Sequence, residues 1–107
     1  MADVRINLPM KKIEDFCQKW KIQEFALFGS VLRDDFNPLK SDIDILVLFD
    51  EESQNSLFDL VKMKGELEDI FQKVVDLVSK RGIEESNNPY RKKAILDNYE
   101  VIYERAA

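Results

Sequence analysis

The sequence contains no histidine and a single cysteine, and these two shortages exclude more chemistry than any residue present. Without imidazole there is no Ser-His-Asp or Cys-His relay, no histidine general base and no histidine-bound zinc. Cys17 cannot close a disulfide within the chain and has no thiolate partner for a zinc site, which suits a reducing compartment. Catalysis must then come from carboxylates, lysine, tyrosine or a metal held by oxygen. Long apolar runs are also missing. The longest, Ile45 to Phe49, is far short of a membrane span, and the N-terminal Met-Ala-Asp-Val-Arg lacks the apolar core of a signal peptide. The expected location is the cytoplasm, with no membrane partner. Positive charge is scarce too: 16 basic residues against 21 acidic leave a net charge of −5. That is the wrong sign for holding long nucleic acid through its phosphates, though a small local phosphate site is compatible with it.

What is there is the composition of one soluble globular domain. The 107 residues are 45% apolar and 35% charged, with no repeat or linker to divide them. A single domain over residues 1–107 is expected, able to bury roughly two-thirds of its unfolded surface.

Apolar periodicity then orders the elements. Ile13, Phe16, Cys17 and Trp20 recur at helical spacing between Pro9 and about Lys19, with Pro9 suited to a first turn. Phe25 to Phe28 reads as a buried strand stopped by Gly29-Ser30, followed by a short helix over Ser30 to Asp35. Asn37 to Ser41 carries loop chemistry, and Asp42 to Phe49 is the clearest strand. Ser56 is placed to cap a helix running to Phe71, with Asp59 in its first turn and Gly65 weakening it slightly. Lys73 to Ser79 reads as a strand, Arg81 to Asn88 as a loop, Pro89 to about Asn98 as a helix and Glu100 to Glu104 as a closing strand. The fold class is α/β or α+β: a small mixed sheet flanked by helices. Trp20, Phe16 and Phe71 sit at core spacing, and Tyr90, Tyr99 and Tyr103 read as packing or surface residues, with modification or stacking on a base as the alternative.

The chemistry gathers around three aspartates. In Asp42-Ile43-Asp44 the strand period puts both carboxylates on one face, with Cα atoms about 7 Å apart, near enough to share a divalent cation. A charged strand end in solvent explains the same tripeptide. Asp76 lies inside Val74-Val75-Asp76-Leu77-Val78, where a buried unpaired charge costs several kcal/mol unless a cation or donors compensate it. An aspartate guarding an edge strand is the plainer account. If the two strands are neighbours, three carboxylates share a face and repel pairwise by roughly 2 kcal/mol at 7 Å with an effective dielectric near 20. Such a hard-oxygen set suits Mg²⁺ or Mn²⁺, and two such ions can clamp the attacking and leaving oxygens of a phosphoryl displacement. The glycine turn at Gly29-Ser30, leading into a helix, offers N–H groups and a hydroxyl to an anion, with Arg33 one turn on. Arg91-Lys92-Lys93, in the first turn of the last helix, is placed to meet a triphosphate or an acidic partner surface, and equally reads as a solvated face.

Taken together, Gly29-Ser30, Asp42-Ile43-Asp44 and Asp76 resemble the minimal nucleotidyltransferase domain of the DNA polymerase beta-like superfamily. The surrounding Phe25 to Arg33 stretch, Val75-Asp76-Leu77-Val78 and Asn88-Pro89-Tyr90-Arg91 extend the likeness over nearly the whole chain. One departure is that residues 31 to 41 make eleven between the two elements where the family usually has ten, which lengthens the Asn37 to Ser41 loop. The resemblance implies transfer of a nucleoside monophosphate from an NTP, with pyrophosphate released. Asp42 and Asp44 would hold both metals, and Asp76 would bind the catalytic one and draw a proton from the acceptor. Gly29, Ser30 and Arg33 would hold the triphosphate of ATP. Single-domain relatives resemble antitoxins whose partner is a HEPN ribonuclease toxin, silenced by transfer of AMP onto a tyrosine. The alternatives are an antitoxin acting by binding alone and a small-molecule, aminoglycoside-type nucleotidyltransferase.

Overall fold

The computed structural model describes residues 8–32, 42–50 and 56–105. Helix α1 (Met10–Lys19) leads into strand β1 (Ile22–Phe28), which ends in a 3₁₀ turn, Gly29–Leu32. Strand β2 (Ile43–Phe49), helix α2 (Leu57–Phe71) and strand β3 (Val75–Ser79) follow. Two short helices, α3 (Lys80–Glu84) and α4 (Pro89–Leu96), precede the last strand, β4 (Tyr99–Glu104). The strands form one mixed sheet in the order β3-β2-β1-β4, antiparallel except for the parallel pair β2 and β3. The α/β class read from the sequence is the observed one.

Strands β1 and β2 are central, and both of their faces are covered, which is why each contains an apolar run, Phe25 to Phe28 and Ile45 to Phe49. On one face Phe25, Leu27, Ile43, Ile45 and Val47 pack against Ile13, Phe16 and Cys17 of α1 and Met63 and Leu67 of α2. On the other, Ala26, Phe28 and Leu46 meet Ile83 of α3 and Ile95 of α4 in a smaller cluster. The strand period therefore places Asp44, between Ile43 and Ile45, on the thinly covered α3/α4 side.

Local chemistry fixes the helix starts. Ser56 Oγ accepts the Asp59 N–H at 3.2 Å while Asp59 Oδ2 accepts the Ser56 N–H at 3.0 Å, a reciprocal capping box. Asn88 Oδ1 accepts the N–H groups of Tyr90 and Arg91, both at 3.1 Å, with Pro89 at the first helical position of α4. Pro9 precedes α1 as its cap residue without a side-chain bond.

Three readings of the sequence need correction. The stretch from Arg81 to Asn88, expected as loop, begins inside α3: Ser79 Oγ accepts the Gly82 N–H at 3.4 Å and Ile83 is buried. Tertiary burial of one isoleucine outweighs the poor propensity of a five-residue helix with a central glycine. The helix opening at Pro89 ends at Leu96, before Asn98, with Asp97 as its C-cap. The strand expected from Lys73 starts at Val75, and Val74 is 57% exposed.

Candidate active site

The end of the sheet where β1 stops brings together residues from three strands. Phe28 of β1 lies opposite Asp44 of β2, and Asp44 lies opposite Asp76 of β3. The Ile43 N–H donates to the Val74 carbonyl at 2.9 Å, locking this parallel register. Asp44 and Asp76 thus share a sheet face on adjacent strands, about 5 Å apart across the pairing direction. Asp42, one residue before β2, is exposed and falls on the same face by the strand period.

Asp76 itself is exposed, because β3 is an edge strand. The expected burial of its charge is therefore overturned, whereas its place beside Asp44 meets the condition that the two strands be neighbours. The apolar residues around it misled: Val75 is buried, but Val74 faces solvent.

Gly29 opens the 3₁₀ turn with φ +74°, in the left-handed region that glycine enters without strain. A Cβ at Gly29 would meet the Asp44 carboxylate, so this turn can lie against Asp44 only because position 29 has no side chain. Ser30 and Leu32 belong to the same turn. The helix expected from Ser30 to Asp35 is observed over Gly29–Leu32 as 3₁₀. Arg33 and the Asn37 to Ser41 loop, with its extra residue, lie outside the described residues.

As a donor set, Asp42, Asp44 and Asp76 supply only hard oxygens, the chemistry that Mg²⁺ and Mn²⁺ prefer. Two of the three stand side by side. Among the described residues no group of three acidic, histidine or cysteine side chains is gathered at metal-ligating spacing. The exposed Asp42 and Asp76 carboxylates would have to turn toward Asp44 to complete one.

On the β4 side of Gly29 opens a cleft of about 570 Å³, walled by Leu32, Ala94 and Tyr99. Beside Tyr99 sits a residue that the sequence did not single out. Lys80, at the start of α3, has its Nζ 5.0 Å from the centroid of the Tyr99 ring and 3.5 Å from Glu24 Oε1. A hydrogen bond to Tyr99 and the charge of Glu24 hold this ammonium above the ordinary lysine range, against partial burial. Nothing in the local pattern signals the trio, since Lys80 and Glu24 are 56 positions apart. Arg91, Lys92 and Lys93 lie in α4, with Lys93 Nζ 3.5 Å from Asp97.

Comparison with known proteins identifies the family and the fold. The nucleotidyltransferase domain family matches residues 9–102. A Methanocaldococcus jannaschii relative named "Putative protein adenylyltransferase MJ1379" is 42% identical over 85 residues, covering 79% of each chain. Among solved structures, the fold resembles a chain of a toxin-antitoxin crystallised with AMP-PNP, with TM-score 0.67 and 23% identity over 92% of this chain and 75% of that one. It also resembles a chain of the tri-AMPylated Shewanella oneidensis HEPN toxin in complex with MNT antitoxin, with TM-score 0.61 and 23% identity over 89% and 69%. The class defined is that of small α/β nucleotide-transferring domains. The chain belongs to the nucleotidyltransferase domain family and is a nucleotidyltransferase.

No helix among the described residues is long and apolar enough to cross a membrane.

Proposed function

We propose that this nucleotidyltransferase transfers AMP from ATP to a tyrosine hydroxyl of a HEPN ribonuclease toxin and so acts as its antitoxin. The observation that carries the reading is the register of Asp44 with Asp76 beside the glycine turn. The relative named as an adenylyltransferase and the likeness to a complex whose toxin is AMPylated support it.

The acceptor oxygen forms a bond to the α-phosphorus of ATP, the bond from that phosphorus to the bridging oxygen breaks, and pyrophosphate leaves. Asp42, Asp44 and Asp76 would hold two Mg²⁺ ions, which supply Lewis-acid stabilisation of the oxygens gaining charge. The chain's own part is positional. Gly29 and Ser30 hold the triphosphate close to the strand ends, with Arg33 as a counter-charge. Asp76, on the open edge strand, is reachable by an acceptor brought by another protein and takes the proton from its hydroxyl. The accessible edge favours a protein-borne tyrosine over a small molecule, which would need an enclosing pocket around β3.

Incubation with the HEPN toxin, ATP and Mg²⁺, followed by mass spectrometry, tests this. AMP-sized increments on a toxin tyrosine are expected with the wild-type chain and not with Asp42→Ala or Asp44→Ala. No increment with wild type, or equal increments with the variants, overturns the catalytic reading and leaves inhibition by binding.

A further inference from the structure

The cleft beside Gly29 has an uneven chemistry. Of the residues that line it, Leu32, Ala94 and Tyr99 are apolar or aromatic, whereas Asp97, Asn98 and Glu100 supply its polar groups. No cation lines it. Two acidic groups repel a phosphate but accept hydrogen bonds from hydroxyls and exocyclic amines. Since Gly29 belongs both to the cleft and to the turn assigned to the triphosphate, a ligand held there by its phosphates has its uncharged end within reach.

We propose that this cleft is the nucleoside subsite, taking the base and ribose of the nucleotide against Tyr99, and that Lys80 is a positioning residue that holds the Tyr99 ring as its wall. The proposal rests on the triphosphate reading of Gly29 and extends it to the other end of the substrate. A volume of about 570 Å³ lies in the usual range for small-molecule pockets. Tyr99 is paired with Phe28 at the start of β4, so its backbone is fixed by the sheet. Its side chain is held by Lys80, whose ammonium is itself anchored on Glu24 of β1. Lys80 and Glu24 keep 18% and 22% of their side-chain surface, so the brace is half-buried and makes the ring a preformed surface for stacking. Asn98 and Glu100 flank the ring in sequence and add hydrogen-bonding groups at the same wall.

Calorimetric titration with ATP and with inorganic tripolyphosphate, both with Mg²⁺, separates the two ends of the ligand. If the cleft holds the nucleoside, ATP binds about tenfold or more tighter than tripolyphosphate, equivalent to about 1.4 kcal/mol. Tyr99→Ala, and Ala94→Trp filling the cleft from an exposed position, then bring ATP down to the tripolyphosphate level while leaving tripolyphosphate affinity within about twofold. Lys80→Met loses part of the preference and Lys80→Arg restores it, a pattern that general loss of stability does not produce. Equal binding of ATP and tripolyphosphate by the wild type, or retention of the preference in Ala94→Trp, overturns the subsite alone. Binding of neither overturns the triphosphate assignment and the subsite with it.

Discussion

The carboxylate of Asp44 lies against the backbone of Gly29: a methyl group on that glycine would come within 3.2 Å of Asp44 Cγ and closer still to Oδ2. The glycine is also in the left-handed region, where any other L-residue is strained by about 1–2 kcal/mol. The two effects separate by what can yield. Backbone strain is retained in the folded state, but a terminal carboxylate can swing aside. Gly29→Ala is therefore expected to lower stability by about 1–2 kcal/mol in urea unfolding. Its loss of AMP transfer is expected to be larger than that figure accounts for, because Asp44 has been displaced. Full activity in a destabilised Gly29→Ala would show that the close approach has no part in the chemistry.

Gly65 gives the opposite expectation. It sits inside α2, and a Cβ there would have no heavy atom within 4 Å. Gly65→Ala removes unfolded-state freedom and adds no contact to clash, so it is expected to stabilise by about 0.5–1 kcal/mol. A lower melting temperature in this variant would contradict the open environment seen at α2.

Divalent cations should stabilise the fold by mass action if Asp42, Asp44 and Asp76 hold them. At about 100 times the dissociation constant, one bound ion adds about 2.7 kcal/mol, enough to raise the melting temperature by roughly 10 °C in a domain of this size. Mg²⁺ and Mn²⁺ titrations followed by thermal unfolding read this directly. Asp44→Ala is expected to abolish most of the gain, since Asp44 is the middle member of the three. An unchanged gain in Asp44→Ala would place the cation elsewhere.

How far the sequence alone reaches can be judged at particular residues. Helix α2 was legible because its N-terminus is encoded locally, in Ser56 and Asp59, and strand β2 because burial on both faces leaves an unbroken apolar run. The juxtaposition of Asp44 with Asp76 was reached only as a condition and through the family resemblance. It depends on β3 pairing in parallel with β2 across the α2 crossover, a long-range choice that no local pattern states. The burial invoked for Asp76 was wrong for the same reason: whether an apolar strand is central or at an edge is decided by neighbours. Helix α3, despite its Ser79 cap, and the Lys80, Glu24 and Tyr99 trio were invisible because their order comes chiefly from tertiary contacts.

The capping box at α2 makes a separable prediction about stability. Ser56→Ala leaves the Asp59 N–H without its side-chain acceptor at an exposed helix end, where water replaces it in part. The expected loss is about 1 kcal/mol in chemical unfolding, with AMP transfer unchanged. A loss of several kcal/mol would mean that α2 is anchored chiefly by its first turn and less by Met63 and Leu67.

Cys17 is 1% exposed in the core between α1 and β1, and burial, reinforced by the charge of Glu14, pushes its thiol up to about 12. The thiolate is the reactive form, so the native protein should be inert to aromatic disulfide reagents near pH 8 and react with one equivalent once unfolded. The same shift makes stability depend on alkaline pH. Between 9.0 and about 12 the unfolded chain releases the thiol proton and the folded chain keeps it. The folded state then binds more protons, and stability falls as pH rises through that interval. Below 9.0 the contribution is present in full. Urea midpoints measured near pH 8 and about pH 10.5 should therefore drop more for wild type than for Cys17→Ala, which shares every other titrating group. Equal drops, or rapid modification of the native thiol, would mean that the core around Cys17 opens to water.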